Sequence, residues 1–190
     1  MDLKGSQTEK NLLTAFAGES LARNRYAFYA KQAKKDGYEQ IRAVFEDTAA
    51  QEMSHAKILL KRLPGGEAEI TASFGASQIG TTLENLQEAA KGENYENTEM
   101  YPGFAETADR EGFKAIAVIF RMLVNAESYH EKRFRALSQN IKNNTVFSRE
   151  KPVRWVCQKC GYIHEGSAPP KICPLCAHPQ GYFEVDAANY

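Results

Sequence analysis

An all-α four-helix bundle followed by a small C-terminal metal-knuckle domain is the fold class that this 190-residue sequence predicts. Three observations predict it. Residues 6–143 are rich in Ala, Glu, Lys, Leu and Gln with few Pro, and their apolar positions recur at steps of three and four, the period of helices facing a core. After Asn143-Asn144 the composition shifts to Pro, Gly, Cys and aromatic residues, which places the expected domains at 1–146 and 147–190. All four cysteines lie between positions 157 and 176, so a disulfide framework spread through the fold is excluded.

Each helix has its own signals. The first opens with Ser6-x-x-Glu9, which has the form of a capping box, carries Leu12, Phe16, Arg23 and Ala30 on one face, and stops near Asp36-Gly37. The second runs from Tyr38 to Leu63, with Ile41, Phe45, Thr48 and Leu59 inward, and ends at Pro64-Gly65-Gly66. So short a connection makes these two antiparallel neighbours, whereas residues 64–80, with little periodicity, form a long crossover. The third helix begins at Thr81-x-x-Glu84 and passes Leu83, Leu86 and Ala90 to a break or kink expected at Pro102-Gly103. In the fourth, Phe113, Ile116, Phe120, Leu123, Phe134, Leu137 and Ile141 alternate steps of three and four, interrupted where Glu127 and His130 occupy the series.

The chain carries 24 Lys+Arg against 24 Asp+Glu, and neither segment alone has a basic excess of the kind that phosphate neutralisation needs. Nucleic acid and membrane surfaces are therefore poor partners. No run approaches the roughly 18 to 20 apolar residues of a membrane span, and Met1 to Gln7 lacks the apolar core of a signal peptide, so a cytoplasmic location is expected.

The informative ionisable residues are those inside the apolar stripes. Glu19 continues the Leu12, Phe16 series, with Tyr26 seven residues along the same face; Glu52 and His55 continue Ile41, Phe45, Thr48; Glu93 and Glu96 continue Leu86, Ala89, and Met100 follows. Uncompensated carboxylates in a core cost several kcal/mol each, and a metal pair supplies the compensation. Glu at i and His at i+3 project from one helix face and can bind one ion or adjacent ions. The chain has Glu52-x-x-His55 and Glu127-x-x-His130; Glu19 to Glu52 is 33 residues and Glu93 to Glu127 is 34, so each half supplies one Glu and one Glu-x-x-His at nearly equal separation. This internal repeat is the ligand pattern of di-iron carboxylate bundles. Four carboxylates balance two Fe(II), so a fifth, Glu96, is expected to bind when the metals are oxidised and to be dispensable when they are reduced. Tyr26 and Tyr101 are candidates to hydrogen-bond a ligand or bound oxygen species.

Cys157-x-x-Cys160 and Cys173-x-x-Cys176, separated by 12 residues, form two knuckles whose four thiolates suit a tetrahedral ion, iron or zinc. Iron would carry single electrons and zinc would be inert; the spacing does not choose, and zinc is an option in the bundle too. Gly161 follows the second cysteine where a positive φ is often needed, and Ala177 stands at the matching place.

With these residues in place, the chain resembles the rubrerythrin family, a ferritin-like di-iron bundle followed by a rubredoxin-like domain. The resemblance rests on Glu19, Glu52-x-x-His55, Glu93-x-x-Glu96, Glu127-x-x-His130, Cys157-Gln158-Lys159-Cys160-Gly161 and Cys173-Pro174-Leu175-Cys176, and covers essentially the whole chain. It implies that Glu19, Glu52, Glu93, Glu96, Glu127 and His130 hold the oxidised iron pair, with His55 exchanging for Glu96 on reduction, and that Tyr26 and Tyr101 lie beside it. It implies NADH-linked reduction of hydrogen peroxide to water, with electrons from a donor protein such as a rubredoxin or its reductase passing through the four-cysteine iron. It also implies a homodimer in which one subunit's cysteine-bound iron approaches the other's di-iron site. The alternatives are a ferroxidase or iron-handling protein, against which a dedicated electron-carrier tail argues, and a metal-stabilised interaction protein with a zinc ribbon.

Overall fold

The computed structural model describes residues 2–187; Met1 and residues 188–190, at the outer ends of the two expected domains, lie outside the described residues. The bundle consists of α1 (Gln7–Lys35), α2 (Glu39–Leu60), α3 (Thr82–Tyr95), a π-helical turn (Glu96–Met100), α4 (Tyr101–Arg110) and α5 (Lys114–Lys142). α1 pairs with α2, and α3 and α4 pair with α5, so the long crossover joins two helical hairpins. Among the described residues no helix is long and apolar enough to cross a membrane.

The hairpin turns cap each other's partners. Asp36 Oδ2 accepts from the Thr82 amide and hydroxyl at 2.9 and 2.6 Å, and Glu111 Oε2 accepts from the Thr8 amide and hydroxyl at 2.8 and 2.5 Å. Each acid therefore satisfies an orphan amide and faces the positive end of the other hairpin's first helix, interactions of about 1 kcal/mol each. The two turns are alike: Gly37 (φ +82°) and Gly112 (φ +86°) follow the acids, and the amides of Tyr38 and Phe113 close on Ala33 and Ala108 at 2.9 and 2.8 Å.

Four local expectations are corrected. Ser6 caps α1 by accepting from the Glu9 amide, but the Glu9 carboxylate takes the Gly5 amide instead of that of Ser6; only Thr81 and Glu84 form a reciprocal box. α2 ends at Leu60 rather than Leu63, because Leu63 precedes Pro64, whose ring disfavours helical backbone before it. Arg23 is exposed and Ala22 takes the inward place, since a straight helix drifts from a strict seven-residue repeat. No break falls at Pro102-Gly103: the irregularity begins earlier, where the Tyr101 amide bonds the Glu96 carbonyl five residues back, and Pro102 enters the first turn of α4, where its missing N–H costs nothing.

That wide turn shifts the buried stripe by one residue. Leu86, Ala89, Ala90 and Glu93 are buried, then Tyr101, Ala105 and Ala108, so Tyr101 takes the core position expected of Met100. Two apolar clusters result, one around Tyr29, Ile41, Phe45, Leu86 and Phe134, the other around Leu12, Leu59, Tyr101, Phe120 and Leu123. The ionisable residues lie at the level between them.

The C-terminal domain is a three-stranded antiparallel sheet in the order β2-β1-β3, with β1 Val153–Cys157, β2 Ile163–Gly166 and β3 Phe183–Val185. Its core is Trp155, Cys157, Cys173 and Phe183. It seats on the start of α2: Phe147 stacks on Tyr38 at 6.0 Å, and Gly181 lies so close to Gly37 that an added Cβ would collide with the Gly37 carbonyl oxygen.

Candidate metal centres

Glu19 from α1, Glu52 and His55 from α2, Glu93 from α3, and Glu127 and His130 from α5 converge at the waist of the bundle, and none of the four carboxylates is more than 1% exposed. His55 Nδ1 lies 2.9 Å from Glu52 Oε2, 3.2 Å from Glu127 Oε1 and 3.5 Å from Glu19 Oε2. His130 Nδ1 lies 2.9 Å from Glu127 Oε2, 3.1 Å from Glu52 Oε1 and 3.5 Å from Glu93 Oε2. Two donor groups follow, Glu19–Glu52–His55–Glu127 and Glu52–Glu93–Glu127–His130, each with its ligand atoms within 4.8 Å of one another. Glu52 and Glu127 give one oxygen to each group, the geometry of bridging carboxylates.

The residues fit a pair of cations. Glu19 Oε2, Glu93 Oε2, both oxygens of Glu52 and Glu127, and Nδ1 of both histidines are buried without a hydrogen-bond partner, and all of them face the two groups. So many orphaned acceptors are tolerable only around positive charge. Without metal, protons have to supply it. Burial, reinforced by Glu52 and Glu127, pushes the Glu93 carboxyl up to about 8. Burial opposes a charge on His130, but Glu127, Glu52 and Glu93 outweigh it and push the imidazole up to about 12.

Three further side chains orient the ligands. Tyr26 Oη donates to Glu93 Oε1 at 2.5 Å, and Tyr101 Oη donates to Glu19 Oε1, which leaves Oε2 of each carboxylate for a metal. Burial first, then the surrounding carboxylates, raises both phenols well above their ordinary value, so both keep their protons. Gln51, which sequence reasoning missed, accepts from His130 Nε2 at 2.8 Å and so turns the Nδ1 lone pair inward. A Gln on a half-buried helix face carries no signal in sequence.

The tyrosines also explain the wide turn. Tyr26 follows Glu19 by seven residues, whereas Tyr101 follows Glu93 by eight; Tyr26 to Glu52 and Tyr101 to Glu127 are both 26. The single residue by which 34 exceeds 33 therefore lies between Glu93 and Tyr101, where the π-helical turn sits. In a regular helix eight steps of about 100° would leave Tyr101 about 80° away from Glu93, whereas taking up one residue brings it to within about 20°.

Glu96 belongs to neither donor group. It is half-buried at the start of the wide turn, and burial, then Glu93, Glu19, Glu127 and Glu52, raises its carboxyl well above the ordinary range. The structure thus brings together all the expected bundle ligands except Glu96, with His55 in the group of Glu19, Glu52 and Glu127.

In the C-terminal domain, Cys157 Sγ lies 3.8 Å from Cys176 Sγ, and Cys160 Sγ 3.6 Å from Cys173 Sγ, all four thiols being unpaired. A tetrahedron with metal–sulfur bonds of about 2.3 Å has edges of about 3.8 Å, so the thiols are set for one ion. Burial of Cys173 is outweighed by the amides of Cys176 and Leu175, which bring its thiol down to about 7. Ala177 adopts φ +58° beside the +74° of Gly161, so the second knuckle keeps the left-handed geometry without glycine.

The family model described as Rubrerythrin matches residues 10–138, and that described as Rubrerythrin, rubredoxin-like domain matches residues 155–184. The chain belongs to the rubrerythrin family. A rubrerythrin of Porphyromonas gingivalis is 55% identical over 188 residues, covering 99% of this chain and 94% of that protein. One from Nitratidesulfovibrio vulgaris is 53% identical, covering 99% and 98%. A structure of nigerythrin in a mixed-valence state matches with a TM-score of 0.62 at 34% identity, over 97% of this chain and 88% of that one. In this member of the rubrerythrin family the bundle is ferritin-like, its carboxylate–histidine cluster is a di-iron site, and the four-cysteine knuckle is the rubredoxin-like iron site.

Proposed function

We propose that the chain is a cytoplasmic hydrogen peroxide reductase, built from a di-iron bundle of residues 1–146 and an electron-relay domain of residues 147–190. The observation that carries this reading is the pairing, in one chain, of an eight-atom cluster of orphaned ligands with a four-thiolate site set for a one-electron carrier. When bound, two ferrous ions supply two electrons to the oxygen–oxygen bond, which with two protons yields two waters, and the cysteine-held iron restores those electrons singly.

The protein's own groups do the rest. Glu52 and Glu127 hold the pair together, Glu19 with His55 and Glu93 with His130 complete its ends, and Tyr26 and Tyr101 hold protons at Oη beside it. Glu96 would be the fifth carboxylate for an oxidised pair, and His55 would take its place for a reduced one. The electron source is a rubredoxin-type protein or its reductase, ultimately linked to NADH. Within one chain the small domain seats near the start of α2, and Glu39 lies thirteen residues before Glu52, which at 1.5 Å per residue is about 20 Å along that helix. The proposed assembly is therefore a homodimer in which one subunit's cysteine site would serve the other's di-iron site.

The test is an anaerobic titration of the reduced protein with hydrogen peroxide, following the colour of the ferric four-cysteine centre. Its return as peroxide is consumed supports the peroxidase; absence of change, together with rapid Fe(II) oxidation in a separate sample exposed to air, makes iron handling the better reading. Glu96→Ala is expected to keep two divalent ions in the bundle while slowing that return by an order of magnitude or more.

A further inference from the structure

The wide turn that begins at Glu96 has its own clamp. Asn97 Nδ2 donates to the Glu93 carbonyl at 2.8 Å, a backbone acceptor at the point where four-residue bonding gives way to five-residue bonding, and to Glu131 Oε2 at 2.8 Å. Asn94 Nδ2 donates to Glu131 Oε1 at 3.2 Å, an oxygen that also accepts from Arg135 Nε at 2.6 Å. Glu131 therefore ties α3 and the turn to α5, one residue beyond His130. The repeat supplies a control: 75 residues before Glu131 stands Ala56, and the first half, which lacks this acid, makes no wide turn.

We propose that Glu131 is a positioning residue: through Asn94 and Asn97 it holds the wide turn open, and the open turn sets Tyr101 on Glu19 and gives Glu96 its reach to the metal pair. A five-residue turn is poorer in backbone bonding than the helix it interrupts, so side-chain bonds from a fixed neighbour decide between the two. Relaxation to a regular helix rotates Tyr101 by about 100°, away from Glu19, and leaves it about 80° from Glu93 around the axis. The part concerning Tyr101 stands alone; the part concerning Glu96 rests on its reading as fifth ligand.

The experiment compares the full-length protein with Glu131→Ala and Glu131→Gln, the latter keeping one acceptor oxygen. In the metal-free protein, amide hydrogen exchange of residues 96–101 is expected to rise at least about tenfold in Glu131→Ala, with α1 and α2 unchanged and most protection restored by Glu131→Gln. In the iron-loaded protein, losing the fifth carboxylate's reach disfavours the ferric state; a tenfold loss is an upward shift of about 59 mV in the one-electron midpoint potential, and Glu96→Ala shifts it the same way. Unchanged exchange at 96–101, or equal acceleration throughout the bundle, overturns the clamp. Faster exchange in Glu131→Ala with an unmoved potential, when Glu96→Ala does move it, overturns the placing of Glu96. A potential indifferent to Glu96→Ala overturns the fifth-ligand reading and leaves the exchange result to decide for Tyr101.

Discussion

The two halves of the bundle carry the same metal-binding groups at spacings that differ by one residue. Each has a terminal Glu, a Tyr, and a Glu-x-x-His, and each Tyr bonds the terminal Glu of the other half, so the halves are interlocked. Only the second half has a wide turn and, at its start, an additional acid, Glu96. The difference teaches that the symmetric groups suffice to hold a charge-balanced pair of divalent ions, while the inserted residue introduces asymmetry next to one end without moving Tyr101 off the shared face.

The comparison can be broken most severely at the residues that both halves share. Glu52→Ala is expected to empty the bundle of both ions, because it removes one oxygen from each donor group, whereas Glu19→Ala should leave about one; metal analysis separating bundle from knuckle measures this.

Removing the metals instead exposes the charges. In the metal-free protein, Glu93 has a folded pKa of about 8 and His130 of about 12, both raised above their unfolded values. A raised folded pKa contributes stability that is complete below the unfolded value and is lost as pH rises through the folded one, so Glu93 loses its share between about 4.3 and 8 and His130 begins to lose its share above about 6.5. The metal-free chain should therefore melt higher at pH 6 than at pH 8, and the metal-loaded chain should lose that slope; thermal unfolding at the two pH values checks both.

The phenols sharpen the comparison. Tyr26→Phe and Tyr101→Phe each remove one hydrogen bond to a buried carboxylate and should cost similar amounts, about 1.5 to 3 kcal/mol, in urea unfolding of the metal-loaded protein. Clearly unequal losses would show that the inserted residue weakens the second half.

The smallest effect lies in the knuckles, themselves a pair, one closed by Gly161 and the other by Ala177. Ala177→Gly relieves a left-handed alanine and should stabilise the domain by about 1 kcal/mol, and Gly161→Ala should cost about as much, read from the temperature at which the knuckle releases its metal.

The ligands of both centres were legible in the sequence because their residue types are out of place: glutamates and histidines in an apolar helical stripe, and four cysteines in an otherwise cysteine-free chain. Gln51, Glu131, Asn94 and Asn97 were not, because amides and acids on half-buried helix faces are ordinary and acquire a role only from what the neighbouring helix presents. Arg23 misled for a related reason, since a periodic stripe is drawn on a helix in isolation and the bundle decides which edge of it is covered.

The 33- and 34-residue spacings contained the extra residue but not its position. Proline and glycine are the local marks of a helix break, and they drew the expected kink to Pro102-Gly103; the wide turn instead lies at Glu96–Met100, whose residues carry no breaker. Its place depends on bonds between helices, from Asn94 and Asn97 to Glu131, and on the fit of Tyr101 to Glu19. Residue type and local period determined the bundle, the two metal centres and the pseudo-repeat, because a misplaced charge or a paired thiol motif has few physical solutions. Backbone register within the third helix, the orientation of each ligand and the seat of the small domain were decided only in the tertiary structure, because each is a choice among locally similar conformations that contacts distant in sequence resolve.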